Sequence, residues 1–402
     1  MHQRSLYWQK IKPFIHAPMI KVLTGMRRVG KSTFMRLIIS ELKTMGATDS
    51  QIMYINKEDM AYDAIKNYTD LHQHITNFFK NIKGKKYVLV DEIQEIENWE
   101  KAITSFASKE DFDIYITGSN AHLLSSELAT FISGRYIEIT IYPLTFKEYQ
   151  EFRGNDFGLV TEEFQQFLRY GGLPVLFHLE KSDEVIFQYI RSVFDTVLLK
   201  DIVGRNNIRN IALLEKLSKF LFDNIGHLVS ASSISKFLKS EKINVYPDTI
   251  QNYLSHFTSA NIAHKVERFD IKGKKLLSSN EKYYLNDLGL RHALLGYKAN
   301  DIGQLLENIV YLELRARGYE VSVGVFGTQE VDFIATKNEE RIYIQVAYLL
   351  ASEETIKREF QSLFKINDNY PKIVLSMDDK LWGNDMQGIK RYNIIDYLLN
   401  YS

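Results

Sequence analysis

One run constrains this chain more than any other: Gly25-Met26-Arg27-Arg28-Val29-Gly30-Lys31-Ser32, two glycines with four residues between them, then lysine and a hydroxyl residue. An apolar, β-branched stretch at Met19–Thr24 precedes it and an amphipathic stretch at Lys31–Met45 follows, so the order is strand, glycine-rich loop, helix. Glycine tolerates the backbone turns that aim successive N–H groups inward, and the following helix N-terminus adds positive potential, so the loop is built to cradle phosphates. Lys31 is placed to bridge the terminal phosphates of a nucleotide and the Ser32 hydroxyl to ligate Mg2+. The nucleotide-binding set is therefore Gly25, Arg27, Arg28, Val29, Gly30, Lys31, Ser32 and Thr33. Within it, Arg27 and Arg28 either touch phosphate or pair with acids of another element.

A second half of the same site lies downstream. Tyr87–Val90 is an apolar strand delivering Asp91 and Glu92 at its carboxyl end, where open α/β sheets hold their ligands. Asp91 suits a hydrated Mg2+, and Glu92 suits orientation or deprotonation of an attacking water. The next strand, Phe112–Thr117, ends in Gly118, Ser119 and Asn120, where a group sensing the γ-phosphate belongs, although Asn120 serves equally as a helix cap. Arg135, just before the strand Tyr136–Tyr142, is either a cation for the transferring phosphoryl group, in its own subunit or a neighbour's, or an exposed structural arginine. Glu58 and Asp59 fit a solvated turn better than a site.

These strands, with Gln51–Asn56 and helical stretches at Asp70–Ile82 and Asn98–Ser108 capped by Asp70 and Asn98, repeat the strand-helix order of a parallel sheet. The whole chain has 402 residues, room for two or three units. After Pro143 the pattern turns helical, at Phe146–Phe152, Thr161–Tyr170 and Asp183–Lys200, which reads as a lid. Helical stretches ending near Gly226, at Ile234–Leu238 and after Pro247 precede strands at Ala263–Ile271 and Lys282–Leu285 around Lys272-Gly273-Lys274-Lys275, the order of a winged helix-turn-helix. The end of the chain, from a helix at Gln304–Arg317 through strands and a helix at Glu353–Phe364, forms a small α/β unit.

Lys plus Arg equals Asp plus Glu at 50 each, which argues against an avid, non-specific nucleic-acid binder while leaving room for a local basic patch. The absence of cysteine excludes disulfides, thiolate zinc sites and a cysteine nucleophile. His72 and His74 are two apart on a helix and face different ways, so no zinc pair is expected. Without a secretion signal or a long apolar run, a cytoplasmic protein without membrane contact is expected.

The run Gly25–Thr33, Asp91-Glu92-Ile93-Gln94 followed by Trp99-Glu100, Thr117-Gly118-Ser119, Gly134-Arg135 and Pro143-Leu144-Thr145-Phe146 together resemble the prokaryotic AAA-domain ATPases fused to a carboxy-terminal uncharacterised domain. Tyr170-Gly171-Gly172-Leu173-Pro174, Asp201-Ile202, Glu307-Asn308 and Glu330-Val331-Asp332-Phe333 continue the likeness. The resemblance implies an AAA+ type P-loop core, a preference for ATP (with ADP as product), and assembly into a homo-oligomer whose neighbouring arginines complete the site.

The expected fold class is thus α/β: a P-loop core over 1–145, a helical lid over 146–205, a winged helix-turn-helix over 206–300 and a restriction-endonuclease-like domain over 301–402. The winged helix offers DNA the lysines Lys272, Lys274 and Lys275, but no Arg or Lys falls between Asp248 and Asn261, so packing against another domain is an equal reading. The last domain resembles endonucleases that use a helix Glu, a strand Asp and a Glu-x-Lys. Here Glu307 and Asp332 stand with Gln345-Val346-Ala347, which lacks both the acid and the lysine unless Lys357 reaches in, so a catalytically degenerate scaffold is expected. The leading functional expectation is a Mg2+-dependent ATPase acting on DNA or a protein partner. A nucleotide-gated switch with slow turnover and an ATP-dependent nuclease are the alternatives.

Overall fold

The strands β1 (Ile20–Thr24), β2 (Ile52–Asn56), β3 (Lys86–Asp91), β4 (Phe112–Thr117) and β5 (Tyr136–Thr140) run parallel in the spatial order β2-β3-β4-β1-β5. They belong to a computed structural model in which residues 4–119, 134–154, 158–206, 208–298, 301–379 and 385–400 are described. The chain forms two compact units, Met1–Tyr142 with Ser259–Asn261, and Pro143–Thr258 with Ile262–Ser402.

In the first unit β1 and β4 are buried at every position, as strands covered on both faces must be. Along one face Val22, Val88, Val90, Ile114 and Ile116 pack with Leu71 and Ile75 of α3 (Tyr68–Phe78) and Ile103 and Phe106 of α4 (Trp99–Ala107). The helices α1 (Ser5–Ile11) and α2 (Lys31–Thr44) also belong to this unit. The cap of α3 differs from expectation. Asn67 accepts from the backbone N–H of Thr69 and Asp70, and Asp70 bonds back to the Asn67 N–H, because the helix begins a turn earlier. Asn98 does precede α4, but in a left-handed conformation with no side-chain cap bond. At the amino-terminal end of the strands Lys21 is wholly buried and paired with Asp113, whose other oxygen accepts from the His16 backbone N–H at 2.8 Å and the Tyr115 hydroxyl at 3.0 Å. Burial pushes the Lys21 pKa down despite that partner.

The second unit opens with three helices, α5 (Phe146–Arg153), α6 (Val160–Tyr170) and α7 (Asp183–Thr196), so a helical extension follows the first sheet. The expected helix to Lys200 instead widens at Val197–Val203 into π-helical turns, which bring Val197, Leu198, Asp201 and Ile202 all inward. Next come α8 (Ile211–Asp223), β6 (Leu228–Val229), α9 (Ala231–Ser240), α10 (Pro247–Ser259), and the antiparallel pair β7 (Ala263–Asp270) and β8 (Lys275–Leu285). After α11 (Leu288–Leu295) and α12 (Ile302–Ala316) the chain adds β9 (Glu320–Phe326), β10 (Gln329–Lys337), β11 (Glu340–Val346), α13 (Glu353–Phe364), β12 (Lys372–Ser376), β13 (Asp385–Met386), β14 (Ile389–Asn393) and α14 (Ile394–Asn400). All nine strands join one sheet in the order β13-β14-β12-β11-β10-β9-β7-β8-β6. Pairing of β7 with β9 makes the sheet continuous across the two stretches expected to be separate domains.

The Tyr170–Pro174 run meets a distant acid in this unit. Asp287 is fully buried and accepts from Gly172 N at 2.7 Å and Gly289 N at 2.8 Å. Gly171, at φ +81°, lies so close that a Cβ there would stand 2.1 Å from the Asp287 carboxylate, and a Cβ on Gly172 would stand 2.5 Å from the Leu144 carbonyl, so both glycines of Tyr170–Pro174 are required. Among the described residues no helix is long and apolar enough to cross a membrane.

Candidate functional site

The loop after β1 turns back on itself through left-handed backbone at Gly25 (φ +135°), Arg28 (φ +68°) and Gly30 (φ +98°) before α2 begins at Lys31. A Cβ on Gly25 would come within 2.2 Å of the Ile141 carbonyl, so only glycine fits there. Lys31 is buried, and its Nζ donates to the carbonyls of Gly25 at 2.9 Å and Met26 at 3.0 Å. The same Nζ lies 3.7 Å from Glu92 Oε1. Ser32 is half-buried on the first turn of α2 and Thr33 is exposed. Arg27 pairs with Glu58 at 3.2 Å, choosing the acid partner among its two readings, whereas Arg28 is exposed. Asp59 caps a short turn through Ala61 N at 3.0 Å.

Asp91 and Glu92 arrive on β3, with β4 between that strand and β1. Asp91 is fully buried and accepts hydrogen bonds from the Thr117 hydroxyl, on one oxygen, and from the Tyr54 hydroxyl at 3.0 Å, on the other. The Thr117 oxygen also accepts from the Glu92 backbone N–H at 3.0 Å, so one side chain at the end of β4 fixes both acids. Glu92 sits in left-handed backbone (φ +55°) and accepts from Gln94. Burial favours its neutral form, but Lys31 and Arg27, with hydrogen bonds from Gln94 and Ser119, outweigh that and hold its carboxyl below the usual range. Burial, then Asp91, pushes the Tyr54 hydroxyl well up, keeping it a donor.

The structure therefore brings together Gly25, Gly30, Lys31, Asp91, Glu92 and Ser119. Asn120 lies outside the described residues. Arg135 is not brought to the loop of its own chain: its carbonyl accepts from Ile20 N at 2.8 Å, at the amino-terminal end of the sheet, while the loop leaves β1 after Thr24. Five residues of strand separate the two ends, about 16 Å. Arg135 is exposed there.

Sequence reasoning missed Thr117, Tyr54 and Gln94 as supports, and it missed Arg4. Arg4 is buried ahead of α1, and its Nη1 donates to the carbonyls of Val29 and Tyr142, each at 3.0 Å, with its guanidinium 4.5 Å from the Tyr7 ring. Position-by-position reading cannot see such a clasp, since its partners lie 25 and 138 residues away. The chemistry of the set suits a hard divalent cation beside a polyphosphate: a hydroxyl at Ser32, a carboxylate at Asp91, and a lysine.

In the second unit Glu307 of α12, Glu330 and Asp332 of β10, and Gln345 of β11 do come near one another. Gln345 accepts from Asp332 N at 3.3 Å and donates to Glu359 at 3.0 Å. Asp332 accepts from Val346 N at 2.8 Å, and burial, then Glu307, raises its pKa well above the usual carboxylate range. Lys357 is exposed on α13 and Ala347 is buried. The lysine that does reach these acids is Lys282 of β8, which sequence reading did not single out. Lys272, Lys274 and Lys275 are exposed at the β7–β8 turn.

A glycine-rich loop between β1 and α2, on a parallel sheet that carries two acids at the end of β3, defines a P-loop ATPase fold of the AAA type. Comparison with known proteins agrees: residues 17–150 match the family model described as "AAA domain", and residues 161–301 match a "Domain of unknown function (DUF8612)". An uncharacterized protein of Haemophilus influenzae is 38% identical over 99% of this chain and 99% of its own length. A second, from Methanocaldococcus jannaschii, is 30% identical, with 86% of this chain and 78% of that protein covered. The chain belongs to the family of AAA-domain proteins that these relatives represent. A solved Walker-type ATPase of Pyrococcus abyssi is similar in fold, with a TM-score of 0.50 at 14% identity, over 73% of this chain and 96% of that one.

Proposed function

We propose that this protein is a Mg2+-dependent ATPase of AAA+ type whose nucleotide state governs a second unit that engages DNA or a protein partner. The observation that carries the reading is the convergence of Lys31 and Glu92, 3.7 Å apart, beside an Asp91 held by Thr117 and Tyr54. Lys31 leaves the loop carbonyls to meet the β- and γ-phosphates of ATP, and the backbone N–H groups of Val29 to Thr33 receive the remaining phosphate oxygens. Ser32 and Asp91 would hold Mg2+, which would supply positive charge against the phosphates. Glu92, kept ionised by Lys31 and Arg27, accepts a proton from the attacking water, and Ser119 and Gln94 aim it. Arg135, remote from its own loop, acts on the site of a neighbouring copy in a homo-oligomer.

In the second unit three helices are followed by an antiparallel pair, with β6 pairing with β8. That order supports a winged helix-turn-helix, with Lys272, Lys274 and Lys275 on phosphates, followed by a restriction-endonuclease-like scaffold over 301–402. The test is ATP turnover by wild type, Lys31→Ala and Glu92→Gln, with and without single- and double-stranded DNA. The expected result is no ATP binding in Lys31→Ala, and ATP retained without hydrolysis in Glu92→Gln. Full turnover by Glu92→Gln overturns the assignment.

One feature favours a second reading, a nucleotide-gated switch with slow turnover: Glu92 is engaged by Lys31, Gln94 and Ser119 at once, so the base must be released before it can act. ATP-dependent change of mass by light scattering without stimulation by DNA selects the switch. Stimulation by DNA selects the ATPase that acts on DNA.

A further inference from the structure

Two carboxylates of the second unit pair with one ammonium, and a third acid, Asp332, lies within electrostatic reach of it. Lys282 and Tyr284 are two apart on β8 and so point to the same side of the strand. Lys282 Nζ lies 2.9 Å from Glu307 Oε1 and 2.6 Å from Glu330 Oε1, and the Tyr284 hydroxyl donates to the same Glu307 oxygen. Glu330 and Asp332 stand two apart on β10, which β9 and β7 separate from β8. The lysine is 5% exposed, so it is a committed internal cation and not a surface residue that happens to lean over an acid. The neighbour of Glu307 works on the same strand: Asn308 accepts from Leu285 N at 2.7 Å and donates to Leu285 O at 2.9 Å.

We propose that the Lys282 ammonium takes the place of a divalent cation in the Glu307–Glu330–Asp332 cluster, which closes the cluster to Mg2+ and Mn2+ and makes this unit a metal-independent scaffold. Two acids that a metal would need are already neutralised by a group covalently fixed to β8. A divalent ion entering beside it would bring two positive charges against a third at ion-pair distance. Gln345 and Ala347 add no further anionic ligand. The same contacts lock the β7–β8 hairpin to α12 and β10, so the cation is structural: it ties the basic hairpin to the last strands of the sheet.

The experiment is Mn2+ binding by the full-length, nucleotide-free chain, followed by electron paramagnetic resonance, for wild type, Glu330→Gln, Lys282→Ala and the double variant Lys282→Ala/Glu330→Gln. Expected are equal Mn2+ binding by wild type and Glu330→Gln, one additional equivalent in Lys282→Ala, and loss of that equivalent in the double variant. A wild-type Mn2+ site that Glu330→Gln abolishes overturns the proposal, as does a folded Lys282→Ala that gains nothing. Should Lys282→Ala fail to fold, the comparison of wild type with Glu330→Gln decides alone, because Glu330 is a third exposed and its neutral isostere leaves the lysine paired with Glu307. Mg2+-dependent DNA cleavage by wild type that Glu330→Gln removes also overturns it, and none of these outcomes depends on the nucleotide site.

Discussion

Replacing Arg4 by methionine tests whether the phosphate loop is held from beneath. The arginine gives two hydrogen bonds from one buried nitrogen, to Val29 O inside the loop and to Tyr142 O just past β5. A hydrogen bond from a charged donor contributes about 1.5–3 kcal/mol, and an orphaned buried acceptor costs about 1–3. Against this stands the desolvation of the guanidinium, which methionine no longer suffers, while its thioether keeps much of the packing on Tyr7. The net loss is therefore about 2–4 kcal/mol. For a unit of this size each kcal/mol shifts the unfolding midpoint by roughly 2–4 °C, so the first unit should melt about 5–15 °C lower. Part of the loss falls on the loop, and each 1.4 kcal/mol felt there weakens ATP tenfold, about the minimum expected. Arg4→Lys keeps the charge with a shorter reach and should fall between. Scanning calorimetry and fluorescent-nucleotide titration are the assays. An Arg4→Met protein that melts within about 2 °C of wild type and binds ATP unchanged refutes the reasoning.

Three further outcomes are expected. Gly25→Ala puts a Cβ 2.2 Å from Ile141 O at a φ of +135°, so ATP affinity should fall at least about tenfold while circular dichroism stays native; unchanged affinity argues against this loop as the phosphate site. Burial raises the Asp287 carboxyl to about 7 against the backbone N–H groups of Gly172, Gly289 and Leu290. A raised pKa in an acid means that the folded state favours the proton, so its stabilisation is full below about pH 4 and is lost as pH rises through about 7. The unfolding midpoint of the second unit should drop over that window, with a slope that Asp287→Asn flattens, and an unaltered slope in Asp287→Asn shows that the group does not titrate there. Arg135→Ala should leave ATP binding intact and lower turnover at least about tenfold in the assembled protein, with activity restored by mixing in a Lys31→Ala partner that supplies Arg135; normal hydrolysis by Arg135→Ala removes that role for Arg135.

What could be read from the chain was what neighbours in sequence determine. β1, the loop and α2 are contiguous, and the apolar runs of β3 and β4 are strong because both faces are covered, so those elements lie within a residue or two of expectation. The short strands β13 and β14 and the terminal helix α14 went unseen because seven or fewer residues offer too little periodicity. Support of the site was equally hidden: Tyr54 and Thr117 reach Asp91 from strands on either side of β3, 37 and 26 residues away. Lys282 carried no motif at all. Its part follows only from where β8 stands in the sheet.

Balanced charge acquires a physical meaning once these pairings are known. Buried cations are already paired: Lys21 with Asp113, Lys282 with Glu307 and Glu330, and Arg291 with Asp301. The exposed cations left for a polyanion on the hairpin are Lys272, Lys274 and Lys275. Three phosphate contacts give a salt slope of about −2.7, so DNA bound through the hairpin should weaken by roughly fortyfold between 50 and 200 mM salt. So few contacts would hold a single copy weakly, and the proposed assembly would offset this by placing several hairpins on one duplex. Under the proposed function, nucleotide-dependent assembly and DNA engagement would be one event: whatever nucleotide state brought a neighbour's Arg135 to the loop would also multiply the hairpins. A salt slope that steepens with ATP in wild type, and stays near −2.7 in Lys31→Ala, is the signature of that coupling; equal slopes in both separate the two activities.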